Sequence, residues 1–450
     1  MSARDRADAV YETLLSRAGE RWVQPRKERT ARILAFLDDP QKTYRVVHIT
    51  GTNGKTSTAR IIESLLRAHG LRTGLFTSPH LERFTERILI DGEPIADAAV
   101  ADAWDEIEPF VAIVDAELEA AGEEPLTFFE LLTVLAFVAV ADAPVDVLVL
   151  EVGMGGEWDS TNTADGDVAV FAPIDIDHAD RLGGTIAEIA QVKAGIIKDG
   201  AAVVSAQQQP EAAEVLRRAA AAHDATIAFE GEDFGLADQK LAVGGQLLTV
   251  RGLAGEYVEE YLPLYGAHQG HNAALAVAAV ESLIGGARQR IAEDIVSEGL
   301  QGATSPGRLQ LLGIAPTVVV DAAHNPHGAK ALAQALDDSF DFDEWGVVLG
   351  VLADKDAAGI VAQLAPAAAH VFATAPESDR ASDADAIADL VEQTGQRATV
   401  HPSLADAADA AREWASSSDR RAVVIAGSVV LAGEAIALAE DEDWKSGWRA

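Results

Sequence analysis

A chain of 450 residues, 48% hydrophobic and 24% charged, is a folded protein too long for one ordinary core, so two or three domains are expected. Its formal net charge of −37 works against binding extended nucleic acid or an anionic membrane, yet a few lysines, metal ions and backbone N–H groups still suffice to hold a small anion. The absence of cysteine excludes disulfides, thiolate metal sites and cysteine nucleophiles together.

In chain order, the stretch from Met1 to Asp8 has no apolar run of the signal-peptide kind, which points to a soluble, cytoplasmic protein. The first strand is expected over Arg45–Thr50, and it leads into Gly51-Thr-Asn-Gly-Lys-Thr56. Beyond it, Ile61, Ile62, Leu65 and Leu66 share one helical face between Thr58 and His69, and Gly70 supplies the stop. Glycines between a strand and a helix let backbone N–H groups turn onto phosphate oxygens, and the helix N-terminus adds positive charge. Lys55 then reaches the β- and γ-phosphates, and the Thr56 hydroxyl suits Mg²⁺. Ile49 stands where the general pattern has a further glycine, so this is a variant phosphate loop.

The apolar run Leu131–Ala141 is too short to cross a bilayer as a helix and reads as a buried core helix. Val145–Leu150 is a second strand, running into Glu151-Val-Gly-Met-Gly-Gly156. Asp167–Phe171 is a third, ending near Asp175-Ile-Asp-His178. Strands alternating with helices imply a parallel sheet covered on both faces, with reactive groups at the carboxyl ends of its strands. Alone, Ser78 is a turn residue before Pro79, Glu151 a loop acid, and His178 a hydrogen-bonding histidine. Their shared place on the edge that carries the phosphate loop makes them candidates. Lys193, within Ile189–Gly195, reads by itself as an exposed helix lysine.

The alanine-rich stretch Ala212–Ala222 is a helix former. The pattern restarts after Ser305-Pro-Gly307. Thr317–Asp321, Trp345–Gly350, His370–Thr374 and Ala422–Gly427 read as buried strands of a second, smaller α/β unit. Asp321-Ala-Ala-His-Asn-Pro326 packs an acid, an imidazole and an amide into one strand-end loop, which suits either a site or a helix cap.

Thr50–Ser57, Thr77-Ser-Pro-His-Leu81, Thr127-Phe-Phe-Glu130, Glu151–Gly156, Asp159-Ser-Thr-Asn162, Asp177-His178, Lys193–Lys198, Pro306-Gly-Arg308, Asp321–Pro326 and Ala426-Gly-Ser428 follow one another in an order that resembles the Mur-ligase superfamily. Within it the set is most similar to the folylpolyglutamate synthase/dihydrofolate synthase family, from about residue 25 to about residue 435. Two stretches depart from that family's pattern: Glu157-Trp158 before Asp159, and Trp22-Val-Gln-Pro-Arg26.

The resemblance implies an N-terminal P-loop ATPase-like parallel-sheet domain over residues 1–304 and a smaller C-terminal Rossmann-like α/β domain over 308–450, joined at about 304–307. It implies ATP on Gly51, Thr52, Asn53, Gly54, Lys55 and Thr56, with Asn272, Arg308 and Asp321 also touching nucleotide. Ser78, Glu151 and His178 match Mg²⁺ ligands, and Lys193 matches a lysine carbamoylated by CO₂ to hold a second Mg²⁺. The folate head would meet Thr127, Phe129, Asp159 and Ser160, and the incoming glutamate His324 and Ser428. Lys55, Lys193, His178 and His324 are then the candidates for chemistry.

The expected reaction is ATP-dependent addition of L-glutamate to folate and to dihydropteroate through an acyl phosphate, giving ADP and phosphate, by a monomer that binds neither nucleic acid nor membrane. Other readings remain open: a ligase of cell-wall precursors in the same superfamily, a nucleotide-driven switch, or a binding module with a decayed loop.

Overall fold

The computed structural model describes residues 1–19, 26–177 and 179–445. The first eight strands are β1 (Arg45–Thr50), β2 (Thr73–Phe76), β3 (Ile88–Ile90), β4 (Glu93–Pro94), β5 (Val147–Glu151), β6 (Val168–Phe171), β7 (Ala202–Ser205) and β8 (Thr226–Phe229). They form one sheet in the order β4-β3-β2-β5-β1-β6-β7-β8. From β2 to β8 every pairing is parallel. At the margin β3 runs antiparallel to β2 and β4 antiparallel to β3, so the sheet is less uniformly parallel than the sequence suggests. The reason is local. Asp91 and Gly92 take positive φ values of 51° and 83°, the backbone of a two-residue hairpin turn that folds β4 back on β3, while residues 77–87 return the chain from β2 to β3 without a crossover α-helix.

Side chains alternate across this sheet. In β5, Val147 and Val149 join a core with the helices Lys55–Ala68 and Ala267–Gly285, while Leu148 and Leu150 join another with Asp97–Ala120 and Phe128–Asp142. Both faces are covered, which is why the strands read as unbroken apolar runs. The run Leu131–Ala141 lies inside the helix Phe128–Asp142, buried nearly all round as expected. Each large aliphatic side chain so buried stabilises the fold by about 1.5–3 kcal/mol relative to exposure.

A three-stranded antiparallel sheet follows, β9 (Gly235–Ala242), β10 (Gly245–Arg251) and β11 (Glu256–Leu262), which the sequence reading did not foresee. The chain then crosses to a second lobe. There β12 (Gln310–Ile314), β13 (Thr317–Val320), β14 (Glu344–Leu349), β15 (His370–Ala373), β16 (Ala398–Val400) and β17 (Arg421–Ala426) lie in the order β12-β13-β17-β14-β15-β16. All but the β12–β13 pair are parallel, with a core on each face. The crossing segment is pinned at both ends. Ser305 Oγ lies 2.9 Å from Ser57 Oγ on the first lobe, and Leu309 N donates to Asp321 Oδ2 of the second at 2.9 Å.

In the large sheet β1 is flanked by β5 and β6, the place where successive connections turn in opposite directions. A crevice opens beyond the carboxyl ends of strands at such a point. The second lobe presents the carboxyl ends of β13, β14 and β17 to the same space.

Candidate active site

One cleft of about 1640 Å³ lies between the lobes. Its floor is the loop leaving β1. Gly54 precedes the helix Lys55–Ala68 with φ +83°, a backbone that favours glycine, and a Cβ there would sit 2.9 Å from Asn272 Oδ1 and force that side chain to shift. Lys55 Nζ lies over this loop, donating to Gly51 O at 3.1 Å and Thr52 O at 3.2 Å. The buried Nδ2 of Asn53 has no hydrogen-bond partner among the described residues, a donor that an anion's oxygen would satisfy.

Glu151 ends β5 beside this loop and is 2% exposed. Thr56 Oγ1 lies 3.0 Å from both of its carboxylate oxygens, and the Ser78 N–H also donates to it. Burial pushes the Glu151 carboxyl above the usual range, opposed first by the charge of Lys55. A buried carboxylate flanked by two hydroxyl residues, Thr56 and Ser78, is an all-oxygen donor set of the kind Mg²⁺ takes, with few protein ligands. Among the described residues no three His, Asp or Glu side chains converge in the way a zinc site requires. His178 lies outside the described residues, as does the Trp22–Pro25 stretch.

Lys193 departs from the exposed reading. It is 4% exposed, and its Nζ donates to Gly51 O at 2.7 Å, bringing the helix Ile186–Ala194 against the phosphate loop. Burial lowers its pKa to about 7, assisted by the charge of Lys55 and opposed by Asp177 and Asp159. The side chain borders a chamber of about 30 Å³ shared with Gly51, Gly153, Met154 and Asp177. A buried lysine that is partly neutral at physiological pH is a nucleophile rather than a solubilising charge.

One wall of the cleft is apolar. Phe129 packs its ring against Gly153, where a Cβ would come within 2.5 Å of the ring, and 6.0 Å from the Phe76 ring centroid. Thr127 caps the helix Phe128–Asp142 in a reciprocal capping box with Glu130, and Arg26 pairs with Glu130 at 3.0 Å. Asp159 and Ser160 also face the cleft. The Asp159 oxygens are engaged by Met154 N at 2.9 Å, Thr161 N at 3.0 Å and Thr161 Oγ1 at 2.6 Å, so this carboxylate shapes the loop that carries it.

The facing wall comes from the second lobe and its connection. Asn272 is held by Gln269 at 3.0 Å, and Arg308 lines the cleft beside Asp321. Asp321 accepts from Ala323 N at 2.8 Å as well as from Leu309 N at 2.9 Å, so it fixes the strand-end loop to the crossing segment. His324 Nδ1 bonds to Ala322 O at 2.9 Å; the ring therefore carries its proton there and offers Nε2 as an acceptor. Burial first, then the charge of Lys355, lowers its pKa to about 4, so the ring is neutral near pH 7. Ser428 caps the helix Val429–Asp441 through Leu431 N at 3.0 Å, leaving its O–H as a donor.

Lys355, absent from the sequence-derived candidates, lines this wall too, and its side chain forms no hydrogen bond or ion pair among the described residues. It lies in Leu352-Ala-Asp-Lys-Asp356, just beyond the end of β14. The strand-end rule used for Glu151 would have found it.

Comparisons with known proteins agree with this two-lobed plan. The family described as "Mur ligase middle domain" matches residues 49–280, and "Mur ligase, glutamate ligase domain" matches 307–429. A dihydrofolate synthase/folylpolyglutamate synthase of Mycobacterium tuberculosis is 45% identical over 443 residues, covering 92% of this chain and 91% of its own. The Escherichia coli protein of the same name is 33% identical, covering 89% of this chain and 88% of its own. The M. tuberculosis folylpolyglutamate synthase complexed with ADP and AMPPCP superposes with a TM-score of 0.92 at 44% identity, covering 97% of this chain and 99% of that one. An E. coli structure in complex with DHPP and ADP gives 0.80 at 29% identity, covering 94% of each chain.

Proposed function

Because the chain belongs to the folylpolyglutamate synthase/dihydrofolate synthase family of Mur ligases, we propose that it joins L-glutamate to the carboxylate of dihydropteroate and of reduced folate at the cleft between its lobes. It is an ATP-dependent ligase. The observation that carries the site assignment is the convergence of Lys55, Thr56 and Glu151 at the carboxyl ends of β1 and β5, next to the apolar wall of Phe129. We take residues 1–304 as the ATP-binding lobe, 308–450 as the lobe that closes on it, and 304–307 as their connection.

A carboxylate is a poor electrophile in water. Transfer of the γ-phosphoryl group to a carboxylate oxygen breaks the bond to the β-phosphate, releases ADP and leaves an acyl phosphate. The glutamate amine then attacks the acyl carbon, loses a proton, and phosphate departs. The chain's part in the first step is positioning and charge neutralisation: loop N–H groups and Lys55 bind the triphosphate, and Asn53 offers its free amide donor. Glu151 and Ser78, with His178 by resemblance, would hold Mg²⁺, which when bound neutralises phosphate charge. Asn272, Arg308 and Asp321 face the nucleotide from the other side of the crevice.

Lys193 serves best as a carbamate. Its amine, with a pKa near 7, attacks CO₂, forms an N–C bond and releases a proton, so that a cation becomes an oxygen donor suited to a second Mg²⁺. Phe129 covers the pterin ring with its face, within a wall completed by Thr127, Asp159 and Ser160. On the opposite wall the neutral His324 ring accepts from the glutamate ammonium, the Ser428 hydroxyl donates to a glutamate oxygen, and Lys355 supplies the cation that a dicarboxylate requires.

The direct test is ADP release from purified enzyme, with glutamate present and dihydropteroate or a tetrahydrofolate supplied in turn. Release that requires both glutamate and a pteridine supports the reading. Release without either acceptor, or only with a cell-wall precursor, overturns it.

A further inference from the structure

We propose that Asp175 and His327 are a positioning pair that registers the second lobe against the phosphate loop. Asp175 lies in the segment after β6, and three hydrogen bonds tie this segment to one loop residue: Thr52 N to Pro173 O at 2.8 Å, Thr52 Oγ1 to Asp175 O at 2.9 Å, and Asp175 N to Thr52 Oγ1 at 3.0 Å. With its backbone held in this way, the Asp175 side chain reaches across the cleft, where Oδ2 lies 2.9 Å from His327 Nδ1.

His327 is in the first turn of the helix Pro326–Ser339, whose start is fixed by Asn325 Oδ1 accepting from Gly328 N at 2.7 Å. The same Asn325 turns its amide Nδ2 toward Asn53 Oδ1 at 3.4 Å. Two neighbouring residues of the phosphate loop, Thr52 and Asn53, are thus connected to one helix end of the other lobe, the first through Asp175 and the second directly. Asp177, two residues further along the same segment, lies close enough to Lys193 to act on its charge. A shift of the second lobe is therefore felt at the triphosphate loop and at Lys193 together.

A role in stability alone fits poorly. The two side chains are 53% and 38% exposed, and a hydrogen bond in that setting contributes little to folding. Its geometry joins what must be aligned for phosphoryl transfer, where small displacements are expensive.

The inference rests on the nucleotide reading of the cleft, and steady-state kinetics with the full chain separate the two. In His327→Ala and Asp175→Ala, kcat is expected to fall about fivefold with the acceptor KM unchanged, and the double variant to be no slower than either single one. His327→Asn, whose amide nitrogen takes the place of Nδ1, is expected to stay within about twofold of the parent. Singles as fast as the parent, a double-variant loss equal to the product of the singles, or His327→Asn as slow as His327→Ala would each overturn the pair. A parent enzyme without nucleotide turnover would instead overturn the reading beneath it.

Discussion

Lys193, in a small chamber behind the glycine-rich loop, and Lys355, on the wall of the cleft, are held in opposite ways. Lys193 is 4% exposed and fixed on the Gly51 carbonyl at 2.7 Å, and burial brings its pKa to about 7. Lys355 is only partly buried, sits on a loop beyond β14, and its side chain makes no hydrogen bond or ion pair among the described residues. The two rims differ at this one side chain. On the first, Lys55, Thr56 and Glu151 are locked by hydrogen bonds around one loop; on the second, Asp321, His324 and Ser428 are likewise fixed, and Lys355 alone of these is unanchored at its side chain. Rigid, desolvated groups suit a step in which charge moves between bound atoms, whereas exposed ones suit capture of a substrate from water.

Three substitutions test this contrast. Lys55→Ala is expected to lower ATP turnover by about a thousandfold or more while leaving the circular dichroism spectrum unchanged, since it removes the charge proposed to bind phosphate at the centre of the first rim. Near-parental turnover would mean that the loop does not hold the reacting phosphate. Lys193→Ala should reduce kcat about a hundredfold, and added bicarbonate should fail to restore it. In the parent at limiting CO₂ the sign of the pH effect follows from the amine: the neutral form grows as pH rises through about 7, so activity should climb between about pH 6 and pH 8. An unchanged Lys193→Ala enzyme, or a parent profile that falls over that window, would remove the carbamate. The smallest effect belongs to the second rim. Lys355→Ala is expected to raise the glutamate KM about tenfold with the ATP KM unchanged, which initial-rate measurements at varied glutamate will read.

The contrast also explains what was legible in the sequence. The phosphate loop and the buried strands announce themselves locally, through glycine spacing and unbroken apolar runs such as Val147–Leu150. The antiparallel margin was missed because β3 and β4 are only short strands, although Asp91-Gly92 is a hairpin signal in plain view. The sheet β9–β11 was missed because it is half solvated and its polar residues, Gln239 and Lys240 among them, read as loop. Glu151 and Ser78 could be placed together from strand ends alone. Lys193 could not, since its burial is created by the phosphate loop 142 positions earlier in the chain, and no helix periodicity reports such a contact. Resemblance to a family, not spacing, singled it out.

The most direct measurement is a crystal structure of the enzyme with Mn²⁺ and a non-hydrolysable ATP analogue, read by anomalous scattering. A metal peak within roughly 2.0–2.4 Å of the Glu151 carboxylate and the Ser78 hydroxyl, with Lys55 Nζ on the terminal phosphate, is the expected result. A nucleotide whose terminal phosphate lies away from this rim, with no metal on Glu151, would contradict the assignment of the reacting centre to the first lobe.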